Sequence, residues 1–71
     1  MKNTIYERRT ELKLSQAELS DLVRVTRQTI NAIENNKYDP SLSLAFKLAI
    51  VLNTTVDELF VYESNTENMR S

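Results

Sequence analysis

The 71-residue chain contains no cysteine, no histidine and no glycine, and only one proline. Without cysteine it can form neither a disulfide nor a thiolate metal site. The lack of histidine removes the commonest general base and metal ligand. No apolar run approaches the roughly 18 residues that span a bilayer, and no signal peptide opens the chain, so a cytoplasmic protein with no membrane partner is expected. The lack of glycine means that any left-handed backbone position is taken by a residue with a Cβ, at a steric cost. No nucleophile, base or metal cluster stands out, so no enzymatic activity, cofactor or metal is expected.

Hydrophobic residues make up 41% and charged residues 27% of the chain, as in an ordinary globular domain. One small domain is expected, below the size at which a single core is comfortably stable. The net charge of −1 argues mildly against a nucleic-acid partner. Distribution matters more than the sum. Residues 1–38 hold seven Lys or Arg against five acids, and residues 39–71 hold two against five.

Helix-start signals recur along the chain. Thr4 with Glu7, Ser15 with Glu18 and Thr55 with Glu58 all have capping-box spacing. Thr26 and Ser41 are further N-cap candidates, and Pro40 keeps residue 39 extended before the second of these. The pattern predicts an all-α domain of five helices at about 4–13, 16–23, 27–36, 42–52 and 56–60. Leu12, Leu14, Leu19, Leu22, Val23, Val25, Ile30, Ile33, Leu44, Ala45, Leu48, Ala49 and Leu52 supply one core, capped by Val56 and Leu59. Phe60 starts a short β-prone segment. The domain is expected to occupy residues 1–62, with 63–71 a polar, flexible tail.

The third helix is unusual. Its outward positions carry Arg27, Gln28, Asn31 and Ala32, where a solvated helix favours Glu and Lys. With the second helix it forms two short helices joined by a tight turn, the helix-turn-helix arrangement whose second helix lies in the major groove. Arg27 suits guanine O6 and N7, Gln28 and Asn31 suit adenine, and Ala32 suits a thymine methyl. Gln16 starts the second helix, where free amides and the helix dipole favour a phosphate. Thr26, Asn35, Lys37 and Tyr38 complete the expected phosphate contacts. Arg9 and Glu34 are opposite charges able to clamp the first helix to the third. Phe46 and Ile50, four apart and opposite the core stripe, join Phe60, Val61 and Tyr62 as the expected homodimer interface.

The run "LSQAELSDLVRVTRQTINAIENNKYDPSLSLAFKLAIVLNTTVDELF", with Arg9 before it, resembles the XRE family of phage-repressor and Cro-like DNA-binding domains. The S-Q-x-E-L, R-Q-T-I, I-E-N-x-K and D-P-S-L elements fall at family spacing, over about residues 4–60. As a whole the chain resembles short stand-alone bacterial regulators that end in a strand. The resemblance implies a five-helix fold, homodimerisation and repression at a palindromic operator on double-stranded DNA. It also implies that Gln16 and Asn35 contact phosphates, that Arg27 and Gln28 read bases, and that Arg9–Glu34 is a structural ion pair. The sequence departs from the family where Gly is usual, having Lys13, Arg24, Asn36 and Asn53 at those places. It departs again at Arg8, where an apolar residue is common. An alternative reading is an antitoxin-type interaction module that holds a toxin partner and binds DNA secondarily.

Overall fold

The computed structural model describes residues 1–61. Within them the order is β1 (Lys2–Asn3), α1 (Ile5–Glu11), α2 (Gln16–Val23), α3 (Arg27–Glu34), α4 (Leu42–Val51), α5 (Val56–Leu59) and β2 (Phe60–Val61). Each helix begins and ends within two residues of expectation. Tyr62 and the tail expected at 63–71 lie outside the described residues.

Side-chain caps start four of the five helices. Ser15 and Glu18 form the full reciprocal box, with Glu18 N–H donating to Ser15 Oγ at 3.0 Å and Ser15 N–H to Glu18 Oε1 at 2.8 Å. Thr26 accepts from the Thr29 amide, Ser41 from Leu44 and Thr55 from Glu58. Two expected boxes are incomplete. The Glu58 carboxylate turns to the Thr54 hydroxyl instead of the Thr55 amide. Thr4 makes no side-chain cap at all: its Oγ1 accepts from Arg8 Nε at 3.0 Å and donates to the Leu59 carbonyl at 3.4 Å. The first free amide of α1, that of Ile5, is satisfied by Asn3 Oδ1 instead.

Helix ends follow one plan. Lys13, Arg24, Asn36 and Asn53 have φ of 61°, 64°, 62° and 60°. Behind each stands a pair of closing bonds, as in Val25 N–H to Ser20 O with Arg24 N–H to Asp21 O, or Lys37 N–H to Ala32 O with Asn36 N–H to Ile33 O. This is the Schellman ending, built four times without glycine. All four positions are the ones where the family resemblance led us to expect Gly.

The core contains Ile5, Leu19, Val23, Ile30, Ile33, Leu44, Ala45, Leu48, Ala49, Leu52, Leu59 and Phe60, with Leu14, Val25 and Val56 packed partly against it. Each fully buried Ile or Leu contributes roughly 1.5–3 kcal/mol. Three expectations are corrected. Leu12 and Leu22 are exposed, at 47% and 55%, so neither is core. Ile5, fully buried, anchors α1 in Leu12's stead. Phe60, expected at a dimer interface, is only 7% exposed. It lies in an antiparallel pair with Asn3, while Lys2 lies opposite Val61. Strand alternation explains the split: Phe60 faces the core and Val61 faces out.

Candidate nucleic-acid interface

Residues 24–26 join the C-terminus of α2 to the N-terminus of α3. Gln16 from the first turn of α2 and Arg27, Gln28 and Asn31 from α3 line one open groove of about 410 Å³. The sequence reading had assigned Gln16 to phosphate and the other three to bases. Ala32, also on α3, is half-buried and is not among the residues that line the groove, and Thr26, Asn35, Lys37 and Tyr38 are exposed.

The α3 side chains are placed at a cost to the helix. Its first turn holds no acid, and Arg27 puts a cation at the positive end of the helix dipole. A local rule broken on an exposed face without internal compensation marks a functional position. Arg27, Gln28, Lys37 and Tyr38 have no side-chain hydrogen bond or ion pair among the described residues. Their donors are available to a ligand. Asn35 differs, because its Nδ2 donates to the Asn31 carbonyl at 2.9 Å and lies 3.3 Å from Asn31 Oδ1. That contact leaves Asn31 with its own Nδ2 donors toward the groove. Thr26 Oγ1 is shared between the Thr29 amide and the Thr29 hydroxyl.

Behind the groove stands the ion pair. Arg9 Nε donates to Glu34 Oε2 at 2.6 Å and its second terminal nitrogen to Oε1 at 3.2 Å, a bidentate fork with both side chains at most 10% exposed. The remaining terminal nitrogen donates to the Leu14 carbonyl at 3.0 Å, and the guanidinium carbon lies 5.2 Å from the Tyr6 ring centroid. Hydrogen bonding to Glu34 raises the Arg9 pKa above its ordinary value, outweighing burial, which lowers it. Gln16 Nε2 also donates to Glu34 Oε1, at 3.1 Å. The carboxylate accepts only, so it fixes which end of the Gln16 amide faces inward. Sequence reasoning found the Arg9–Glu34 pair but missed its extension to Gln16, since nothing in the spacing brings position 16 to position 34.

Arg24 occupies the left-handed position in the turn between α2 and α3. No ion pair joins it to Asp21 among the described residues, and its side chain is exposed. On α4, Phe46 and Ile50 are 53% and 76% exposed, as expected, and Leu42 extends their row at 69%. No helix among the described residues is long and apolar enough to cross a membrane.

Comparison with known proteins agrees with this geometry. A helix-turn-helix family model matches residues 5–59. The chain is 45% identical over 65 residues to an uncharacterized HTH-type transcriptional regulator of Methanocaldococcus jannaschii, covering 92% of this chain and 98% of that one. It is 41% identical to the uncharacterized HTH-type regulator YgzD of Bacillus subtilis, covering 89% and 96% of the two chains. Among solved structures it resembles the restriction-modification controller protein C.AhdI of Aeromonas hydrophila, with a TM-score of 0.73, 34% identity and coverage of 79% and 85%. It also resembles part of the hydroxypropylphosphonic acid epoxidase of S. wedmorenis, with a TM-score of 0.69 and 29% identity. There the match covers 76% of this chain but only 29% of the enzyme. With the fold, the groove and these relatives together, the chain belongs to the helix-turn-helix family of DNA-binding transcriptional regulators, the XRE type that its sequence resembles.

Proposed function

We propose that the protein is a cytoplasmic repressor that acts as a homodimer on a palindromic operator. The observation that carries this reading is the groove in which Arg27, Gln28 and Asn31 present unpartnered donors beside Gln16. In that arrangement Arg27 reads guanine and Gln28 adenine, Ala32 meets a thymine methyl, and Thr26, Asn35, Lys37 and Tyr38 flank the phosphates. Binding, not catalysis, is the activity. The chain lacks His and Cys, and its likeness to the epoxidase spans at most 38% of that enzyme among the structures compared.

A second copy of the chain is the occupant we assign to the row Leu42, Phe46 and Ile50. These are three large apolar side chains at four-residue spacing on α4, all more than half exposed. Val61, 47% exposed, adds to the same kind of surface on β2. A single module buries too little surface on DNA for tight specific binding, and a twofold pair of recognition helices spans sites about 34 Å apart.

Selection from a random DNA pool tests the whole reading. The expected motif has inverted symmetry, and binding weakens steeply with salt as counterions are released. Arg27→Ala then loses about 1–3 kcal/mol on that motif and relaxes one base position. Lys37→Ala weakens all sequences alike and reduces the salt slope by about one unit. A profile unchanged by Arg27→Ala overturns the groove orientation. Co-purification of a stoichiometric second protein would assign the α4 row to a heterologous partner such as a toxin.

A further inference from the structure

The α3 helix reads DNA only if its angle and its distance from the dimer axis are fixed. Its C-terminal end carries a tether that the helix itself does not need. The Ile33 carbonyl already accepts from the Asn36 backbone amide at 3.1 Å, within the Schellman ending that also bonds Lys37 N–H to Ala32 O. Asn3 Nδ2 adds a second bond to the same Ile33 carbonyl, at 2.8 Å, and lies 3.4 Å from Asn36 Oδ1. At the other end of its carboxamide, Oδ1 accepts from the Ile5 amide at 3.1 Å. Reversing the amide would set donor against donor and acceptor against acceptor, so its orientation is determined.

The backbone beside the same residue is tied to the segment that follows α5. Asn3 pairs with Phe60 in the two-stranded sheet, and the next amide, Thr4 N–H, donates to the Leu59 carbonyl at 2.9 Å. Met1 and Phe60 share an apolar cleft with Leu42, the first residue of the exposed α4 row. The Met1 ammonium lies 3.1 Å from the Asp39 carboxylate, in the connection between α3 and α4. Met1, Asn3 and Thr4 thus hold together the end of the recognition helix and the side of the molecule that carries the exposed apolar row.

We infer that Asn3 is a positioning residue for DNA recognition. It fixes α3 against the α4 and β2 side and so sets the separation of the two recognition helices, which selects the spacer length between half-sites. This inference rests on the dimeric reading above. It predicts a specificity effect separate from base reading, because Asn3 belongs to β1 and has its contacts at the C-terminal end of α3, away from Arg27 and Gln28.

The test uses the full chain and symmetric duplexes carrying the selected half-sites with spacers lengthened or shortened by one and two base pairs. Wild type is expected to prefer one spacer. Asn3→Ala removes all of its side-chain bonds. Asn3→Asp keeps an acceptor for the Ile5 amide and replaces the donor to Ile33 with an oxygen that faces the Ile33 carbonyl, so it preserves the start of α1 if the alanine variant fails to fold. Either folded variant should lower the preference for the best spacer over the next by about 3–10-fold, the loss expected for one hydrogen bond. Half-site base preferences and sedimentation as a dimer should not change. An equal loss of affinity at every spacer makes Asn3 a fold stabiliser only and overturns the inference, as does an unchanged spacer profile. A wild-type protein that sediments as a monomer and binds half-sites independently overturns the dimeric reading itself, and does so before any variant is made.

Discussion

Lys13, Arg24, Asn36 and Asn53 each hold a left-handed backbone that costs a residue with a Cβ roughly 1–2 kcal/mol and glycine nothing. Glycine gives back part of that advantage through its freer unfolded chain. Arg24→Gly is therefore expected to raise the urea unfolding midpoint by the equivalent of about 0.5–1 kcal/mol. Asn36→Gly should gain less, because Asn tolerates this region and its carboxamide faces Asn3. A lower midpoint for Arg24→Gly would show that its side chain, exposed and unpaired here, stabilises the turn in some other way. Arg9 and Glu34 pose the opposite problem, a pair held almost out of water. Removing one partner strands the other, so Arg9→Ala should cost about 3–5 kcal/mol in urea titration, while the double change Arg9→Met with Glu34→Leu should recover most of it. The raised Arg9 pKa means that its contribution is complete at neutral pH and lost only in strong alkali, as pH rises through the folded value. Stability measured between pH 6 and 9 should therefore show no dependence traceable to this guanidinium.

Among the helices, α2 has the most complete start, and Ser15→Ala should cost it about 1 kcal/mol. Thr4→Ala should be felt through the Leu59 carbonyl and Arg8 and not as a lost cap, and a urea comparison of the two variants separates these causes. The contrast between the two sites shows where sequence was informative. Hydroxyl-to-Glu spacing located Ser15 correctly, and the core stripe of α4 and both α3 anchors, Ile30 and Ile33, were legible from apolar period alone. In α1 the same reasoning slipped. Ile5 and Arg9 are the buried positions, and because Arg9 is charged, counting apolar residues shifts the inner face toward Leu12. Ser20 causes the same difficulty in α2: it is buried with its hydroxyl donating to the Ala17 carbonyl, so Leu22 looked like the core residue instead. The strand at Lys2–Asn3 has two residues and no pattern of its own; only its pairing with Phe60 and Val61 defines it. Of the groove, residue types and helix position picked out Arg27, Gln28 and Asn31, which the fold brings together, while the contact between Gln16 and Glu34 depends on how the helices cross.

For the molecule as a whole, the open question of assembly reduces to the exposed row on α4. Ile50 is 76% exposed and outside the core, so Ile50→Glu should leave the urea midpoint nearly unchanged while turning a sedimenting dimer into a monomer. A variant that remains dimeric would move the interface away from α4. Truncation after Leu59 is a different experiment. It removes Phe60 from the core and Asn3 from its strand partner, and the fold should lose stability along with any assembly.

The pairing of β1 with β2 also has a consequence in time. During synthesis at about 5–20 residues per second, Asn3 is made roughly 3–11 s before its partner Phe60. Once Glu34 has been added, the turn and α3 are translated while the strap across the end of α3 still has nothing to pair with. A chain at that stage carries Arg27, Gln28 and Asn31 without the strand pair that holds β1 in place. The regulator acquires its fixed geometry only once β2 has left the ribosome.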